Sequence, residues 1–184
     1  NLVRQDDSPD LNRRYVAELQ PVIEAISGAD EVIPQTHRIV VRATTRAGLA
    51  TTDPVAPLVH LDYTERLAER VLGDSLAALG RGRPPYRRMA IFQTWRVLTP
   101  PPQDNMLAIC DASSVSLEDS IVLRTRSMSE QNDVRLFRYN PDHRWYYVSA
   151  MQPDELLVFK GFDTADPRSM SGAHVAFDLP GNAE

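Results

Sequence analysis

The chain has 184 residues, enough for one domain with a sizeable core, and its 42% hydrophobic and 24% charged residues are an ordinary globular balance. Twenty Lys and Arg against 25 Asp and Glu leave a net charge of −5, so no basic field recommends nucleic acid or an anionic membrane as partner. A single cysteine, Cys110, excludes an internal disulfide and a Cys-based zinc site, and it fits a reducing, cytoplasmic compartment. No apolar run reaches the roughly 18 residues of a membrane span.

The chain begins at Asn1 rather than Met, so both ends are read as open. Residues 1–10 are polar and read as a tail. From Leu11 to Ile26, Tyr15, Val16, Leu19, Val22, Ile23 and Ile26 recur at helical spacing. Pro21 inside that run predicts a kink or two shorter helices, and Ser27-Gly28-Ala29-Asp30 supplies the stop. His37 to Ala43 reads as a strand and Thr44 to Pro57 as a loop. A strand from Leu58 to Tyr63 leads into a helix from Glu65 to Leu79, with Thr64 as its N-cap and Leu67, Val71, Leu72, Leu76 and Leu79 as its apolar stripe.

Strands follow at Met89 to Leu98, at Met106 to Cys110 and within Ser116 to Arg126. Asp133 to Tyr139 and Arg144 to Ala150 flank the turn-forming cluster Asn140-Pro141-Asp142-His143, which predicts a β-hairpin with His143 exposed at its tip. Glu155 to Phe162 and Ala173 to Leu179 are the last two strands. Helices first and six or more strands after, without βαβ alternation, point to an antiparallel sandwich or barrel. A mainly β jelly roll with flanking helices fits.

Within the strand Leu58 to Tyr63, alternation puts His60 and Asp62 on one face and Leu61 on the other. An imidazole and a carboxylate so placed can hold two adjacent positions of a metal ion. A distant histidine would complete the 2-His-1-carboxylate set that leaves three positions of iron(II) open. The remaining histidines are His37, His143 and His174, and His174 is the candidate. His-X-Asp by itself is equally compatible with a strand-end pair bonded to nearby backbone.

Six blocks carry a resemblance. They are Val-His-Leu-Asp-Tyr-Thr (59–64), Thr-Trp-Arg-Val-Leu (94–98), Leu-Ala-Ile-Cys-Asp (107–111), Arg-Trp-Tyr-Tyr-Val-Ser-Ala-Met (144–151), Leu-Leu-Val-Phe-Lys-Gly-Phe-Asp (156–163) and His-Val-Ala-Phe-Asp-Leu-Pro (174–180). In this order they resemble the hydroxylase/desaturase family of non-haem iron enzymes, which includes gibberellin-desaturase-like and cephamycin-hydroxylase-like proteins. The resemblance spans residues 11 to 180. It implies one oxygenase-like domain over residues 1–184, helical at about 11–35, built as a double-stranded β-helix of cupin-like jelly-roll type. It also implies iron(II) held by His60, Asp62 and His174, with 2-oxoglutarate and O2 as cosubstrates. The substrate would be a small molecule of natural-product biosynthesis, hydroxylated, desaturated or cyclised.

In such enzymes an Arg after the distal His grips the far carboxylate of 2-oxoglutarate, since a guanidinium binds a carboxylate through two hydrogen bonds. Here no Arg or Lys follows His174. Either the strand carrying it lies beyond these residues, or Arg96 first and Lys160 second take its place. Two other readings use the same fold: a zinc-dependent cupin-like hydrolase or isomerase, and a non-catalytic jelly-roll binding protein. Nothing in the residues excludes a homodimer.

Overall fold

The computed structural model describes residues 9–35, 40, 42–43, 53–126, 131–166 and 172–178. They fall into two compact units, residues 1–55 with 73–83 and residues 56–72 with 84–184. The strand expected from His37 and the loop from Thr44 lie largely outside the described residues, and His37 is among those left out.

The first unit contains helix α1 (Pro9–Ser27) and the two-residue strands β1 (Arg42–Ala43) and β2 (Asp53–Pro54), paired in parallel. Pro9 opens α1 at the position where a missing N–H costs least. Pro21 does not divide the helix, which runs unbroken through all 19 residues. It stops at Gly28, whose positive φ of 62° lets its N–H reach the Glu24 carbonyl at 3.1 Å.

The second unit begins with β3 (His60–Leu61), two residues long. Next comes α2 (Glu65–Ala78), whose first half belongs to this unit; Thr64 caps it through Oγ1, which accepts from the Leu67 N–H at 3.3 Å. Strands β4 (Ala90–Trp95), β5 (Asn105–Cys110), β6 (Ser120–Arg126), β7 (Gln131–Phe137), β8 (Trp145–Tyr147), β9 (Leu157–Asp163) and β10 (His174–Asp178) follow. They form a six-stranded sheet in the order β6-β7-β3-β10-β5-β8 and a two-stranded sheet β4-β9, antiparallel throughout.

Register sorts the side chains. Met106, Ala108 and Cys110 alternate as buried residues along β5. Leu61, Cys110, Val115 and Ala173 form a core cluster on which Phe137 and Trp145 pack. Two ion pairs tie helix and loop to strands. Arg66 on α2 grips the buried Asp133 of β7 with two hydrogen bonds, 2.8 and 2.7 Å. Arg88 grips Asp163, fully buried at the end of β9.

The predicted hairpin is not one. The turn at Asn140–His143 forms, but β7 before it pairs with β6 and β3, while β8 after it pairs with β5 at the other end of the sheet. His143 is not exposed either. Its imidazole is 4% exposed and its Nε2 lies 3.2 Å from Asp119 Oδ2, which also accepts from Asn140.

Candidate metal centre

The single residue pair that joins β3 to β10 is His60 opposite His174. Continuing the register gives one row across the sheet: Ile121, Leu136, His60, His174, Ile109, Tyr146. Residues paired across antiparallel strands share a face, so both imidazoles stand together on the face opposite the core cluster. β3 ends at Leu61, and Asp62 follows in a bend that returns its carboxylate to the histidines.

Each imidazole is fixed from behind by the backbone two residues earlier. His60 Nδ1 lies 2.7 Å from the Leu58 carbonyl, and His174 Nδ1 lies 2.8 Å from that of Gly172. A carbonyl only accepts, so each Nδ1 carries the hydrogen and each Nε2 is left to face forward. The forward atoms converge: His60 Nε2 is 3.4 Å from Asp62 Oδ1, and His174 Nε2 is 3.6 Å from Asp62 Oδ2. The ring centroids are 4.2 Å apart, and one ligand atom from each of the three residues lies within 4.8 Å of the others.

Two nitrogen lone pairs and a carboxylate aimed at one another repel unless positive charge sits among them. Burial alone would push the Asp62 carboxyl up. The hydrogen bond with His60, positive charge on His174 and His60, and the Gln93 amide outweigh it and bring the carboxyl down to about 2. A divalent cation among the three would supply that charge. Two imidazoles and one carboxylate are a donor set suited to iron(II), so the residues fit the metal that the resemblance implies.

The other residues singled out in the sequence are placed as follows. The Arg96 guanidinium donates through Nη2 to the Pro153 carbonyl. Lys160 pairs with Asp163 at 2.7 Å, on the face of β9 opposite Phe159, whose ring lies 5.3 Å from that of His174. Neither belongs to the three-residue cluster. On β8, Trp145 packs on the core, Tyr147 packs edge-on against Phe177, and Tyr146 takes the face of His60 and His174 beside Ile109. Two neighbours of the centre were not singled out: Phe159, and Gln93, whose Nε2 donates to Asp62 Oδ2 at 2.6 Å. The available signal was a polar residue at the middle position of Ile91-X-Gln93-X-Trp95, one side of a strand.

A family model described as an oxidoreductase/YMDC permease-like domain matches residues 3–184. The chain is 32% identical to the hydroxylase/desaturase efuI of Hormonema carpetanum, over 95% of this chain and 66% of that protein. It is 30% identical to the alpha-ketoglutarate-dependent dioxygenase tstK of Talaromyces stipitatus, over 96% of this chain and 66% of that protein. It therefore spans just under two thirds of the length of these relatives. Among solved structures, the iron and alpha-ketoglutarate-dependent endoperoxidase NvfI superposes with a TM-score of 0.74 at 23% identity, over 97% of this chain and 70% of that one. The two share a fold, the double-stranded β-helix with flanking helices.

Proposed function

We propose that this chain, which belongs to the hydroxylase/desaturase family of iron(II)- and 2-oxoglutarate-dependent oxygenases, is itself such an oxygenase acting on a small molecule. The observation that carries the reading is the convergence of His60, Asp62 and His174 on one point with both Nδ1 atoms already engaged. Those three residues would hold iron(II). When bound, the metal supplies oxygen activation coupled to decarboxylation of 2-oxoglutarate, and with it oxidation of a substrate C–H bond.

The protein's part is binding, orientation and exclusion of water. The backbone bonds to Nδ1 fix the tautomer and aim of each imidazole, which raises its worth as a ligand. Leu107, Ile109, Leu136 and Ala176 share the metal-side face and give a substrate's hydrocarbon body an apolar bed. Hydroxylation, desaturation and ring formation differ only in where the substrate sits on that bed. For the far carboxylate of 2-oxoglutarate, Arg96 is the better anchor of the two proposed. It would give up a neutral carbonyl partner, whereas Lys160 would abandon the buried Asp163 carboxylate. Natural-product biosynthesis is proposed as the setting because relatives include hydroxylase/desaturase proteins of that kind, among them a gibberellin-cluster GA4 desaturase. A cytoplasmic location is part of the proposal and rests on the lone, buried thiol of Cys110; among the described residues no helix is long and apolar enough to cross a membrane.

The test is anaerobic titration with iron(II) and 2-oxoglutarate, watching for the visible metal-to-ligand charge-transfer band. It is run on the wild type and on His60→Ala, Asp62→Ala and His174→Ala. A band that each substitution weakens or removes supports the reading. Bound metal without a band favours a zinc-type hydrolase on the same donors, and no metal binding at all refutes the site.

A further inference from the structure

Gln93 lies on β4, and its carboxamide is held between two groups. On one side its Nε2 is 2.6 Å from Asp62 Oδ2. On the other its Oε1 is buried and has no hydrogen-bond partner among the described residues. An ionised carboxylate accepts and cannot donate, so the amide nitrogen must face Asp62 and the carbonyl must point away. What it points at is Gly161. A Cβ built on Gly161 would stand 2.3 Å from Gln93 Oε1 and 2.8 Å from the Tyr63 ring.

The placement of Gly161 comes from an irregularity in the β4-β9 ladder. Ile91 pairs with Phe162 and the next residue, Phe92, pairs with Lys160, so Gly161 is the extra residue of a β-bulge. The bulge brings the one residue type without a side chain against the amide. A buried acceptor left without a donor is costly in most settings. Here that cost is the consequence of turning the amide N–H onto Asp62.

We propose that Gln93 is a positioning residue for the metal-binding carboxylate and that Gly161 is the slot that seats it. The inference rests on the metal reading of His60, Asp62 and His174. The hydrogen bond pins Oδ2 and resists rotation of the carboxylate, which leaves Oδ1, 3.4 Å from His60 Nε2, as the oxygen without that bond. A side chain at position 161 displaces the amide and frees the carboxylate from behind, without touching any ligand.

The experiment uses the whole chain, stripped of metal and titrated with cobalt(II) under anaerobic conditions, read by visible ligand-field absorption. The variants are Gln93→Met, Gly161→Ala and the two combined, with Gln93→Asn to shorten the amide by one methylene. Loss of a partner that orients a ligand weakens metal binding by about 10–100-fold. That loss is expected for Gln93→Met and for Gly161→Ala, with an altered spectrum and a smaller loss for Gln93→Asn. The combined variant should bind no more weakly than Gln93→Met alone, because both changes break one contact. Wild-type affinity and spectrum in Gln93→Met would overturn the proposal, as would additive losses in the combined variant. Normal cobalt binding by Gly161→Ala would also overturn it, by showing that displacing the amide does not reach the metal-binding carboxylate. If the wild type binds no cobalt and His60→Ala behaves identically, it is the metal reading that has failed, before Gln93 is reached.

Discussion

Gly172→Ala tests whether the distal histidine is aimed by its own backbone. Gly172 has φ +80°, and a Cβ there would lie 2.1 Å from the Lys160 carbonyl oxygen and 3.1 Å from the Phe159 ring. The left-handed conformation costs an alanine roughly 1–2 kcal/mol. The collision is with the main chain of β9, which cannot swing aside as a side chain would, and relieving such overpacking typically costs about 1–3 kcal/mol more. A loss of about 2–5 kcal/mol follows, measured by urea unfolding of the metal-free protein. The same displacement moves the Gly172 carbonyl that accepts from His174 Nδ1 at 2.8 Å, so cobalt(II) affinity should fall by about 10–100-fold. Gly73→Ala is the control. That glycine lies within α2 with nothing within 4 Å of a built Cβ, and alanine there should be neutral or should stabilise by about 0.5–1 kcal/mol. A Gly172→Ala protein with the wild-type urea midpoint and wild-type metal affinity would refute the argument.

Leu61→Ala empties a fully buried position in the core cluster between the two β3-side ligands and should cost about 2–5 kcal/mol by urea unfolding. The Asp163 carboxyl is held well below the usual carboxylate range by its hydrogen bonds with Arg88 and Lys160, which outweigh its burial. A depressed native pKa gives stability that is present above the unfolded value of about 4 and is lost as pH falls below it. Asp163→Asn should therefore lower the urea midpoint at neutral pH and narrow the gap between neutral pH and pH 3; an unchanged gap would count against the ion pairs. Ala150 has φ +52°, so Ala150→Gly should stabilise by about 0.5 kcal/mol in the same assay, and a destabilised variant would mean that the methyl group does more than strain the turn.

What the sequence made legible was local or repeated. His60 and Asp62 are two apart, and although β3 ends at Leu61 a bend still brings Asp62 back beside His60, while Thr64 with its apolar stripe announces α2. Six ordered blocks named the family and, through it, His174. What stayed hidden depended on which strands pair. The cluster Asn140 to His143 does turn the chain, but hairpin pairing of its flanks was lost to β3 and β5, whose claims on β7 and β8 no local pattern reveals. The buried imidazole of His143 follows from the same long-range arrangement, through Asp119. Pro21 was read by the usual rule for helix breakers, and the continuous α1 shows that one missing N–H need not divide a helix. Gln93 was invisible because its partner, Asp62, and its slot, Gly161, come from two other stretches of chain.

The convergence of His60, Asp62 and His174 is a product of register more than of their own strands. β3 is two residues long and meets β10 at a single pair, too little to fix its own alignment. β10 is aligned by five pairs with β5, from His174 with Ile109 to Asp178 with Asn105, and β3 by its two pairs with β7. Because side chains alternate, a slip of one residue in either ladder would carry one histidine to the core face and leave the other alone. The core cluster guards against this, since Leu61, Cys110 and Ala173 can stay buried together only in the register that leaves His60 and His174 facing the other way. Apolar burial on one face of the sheet therefore sets the geometry of the ligands on the other, and the backbone carbonyls of Leu58 and Gly172 complete the aim.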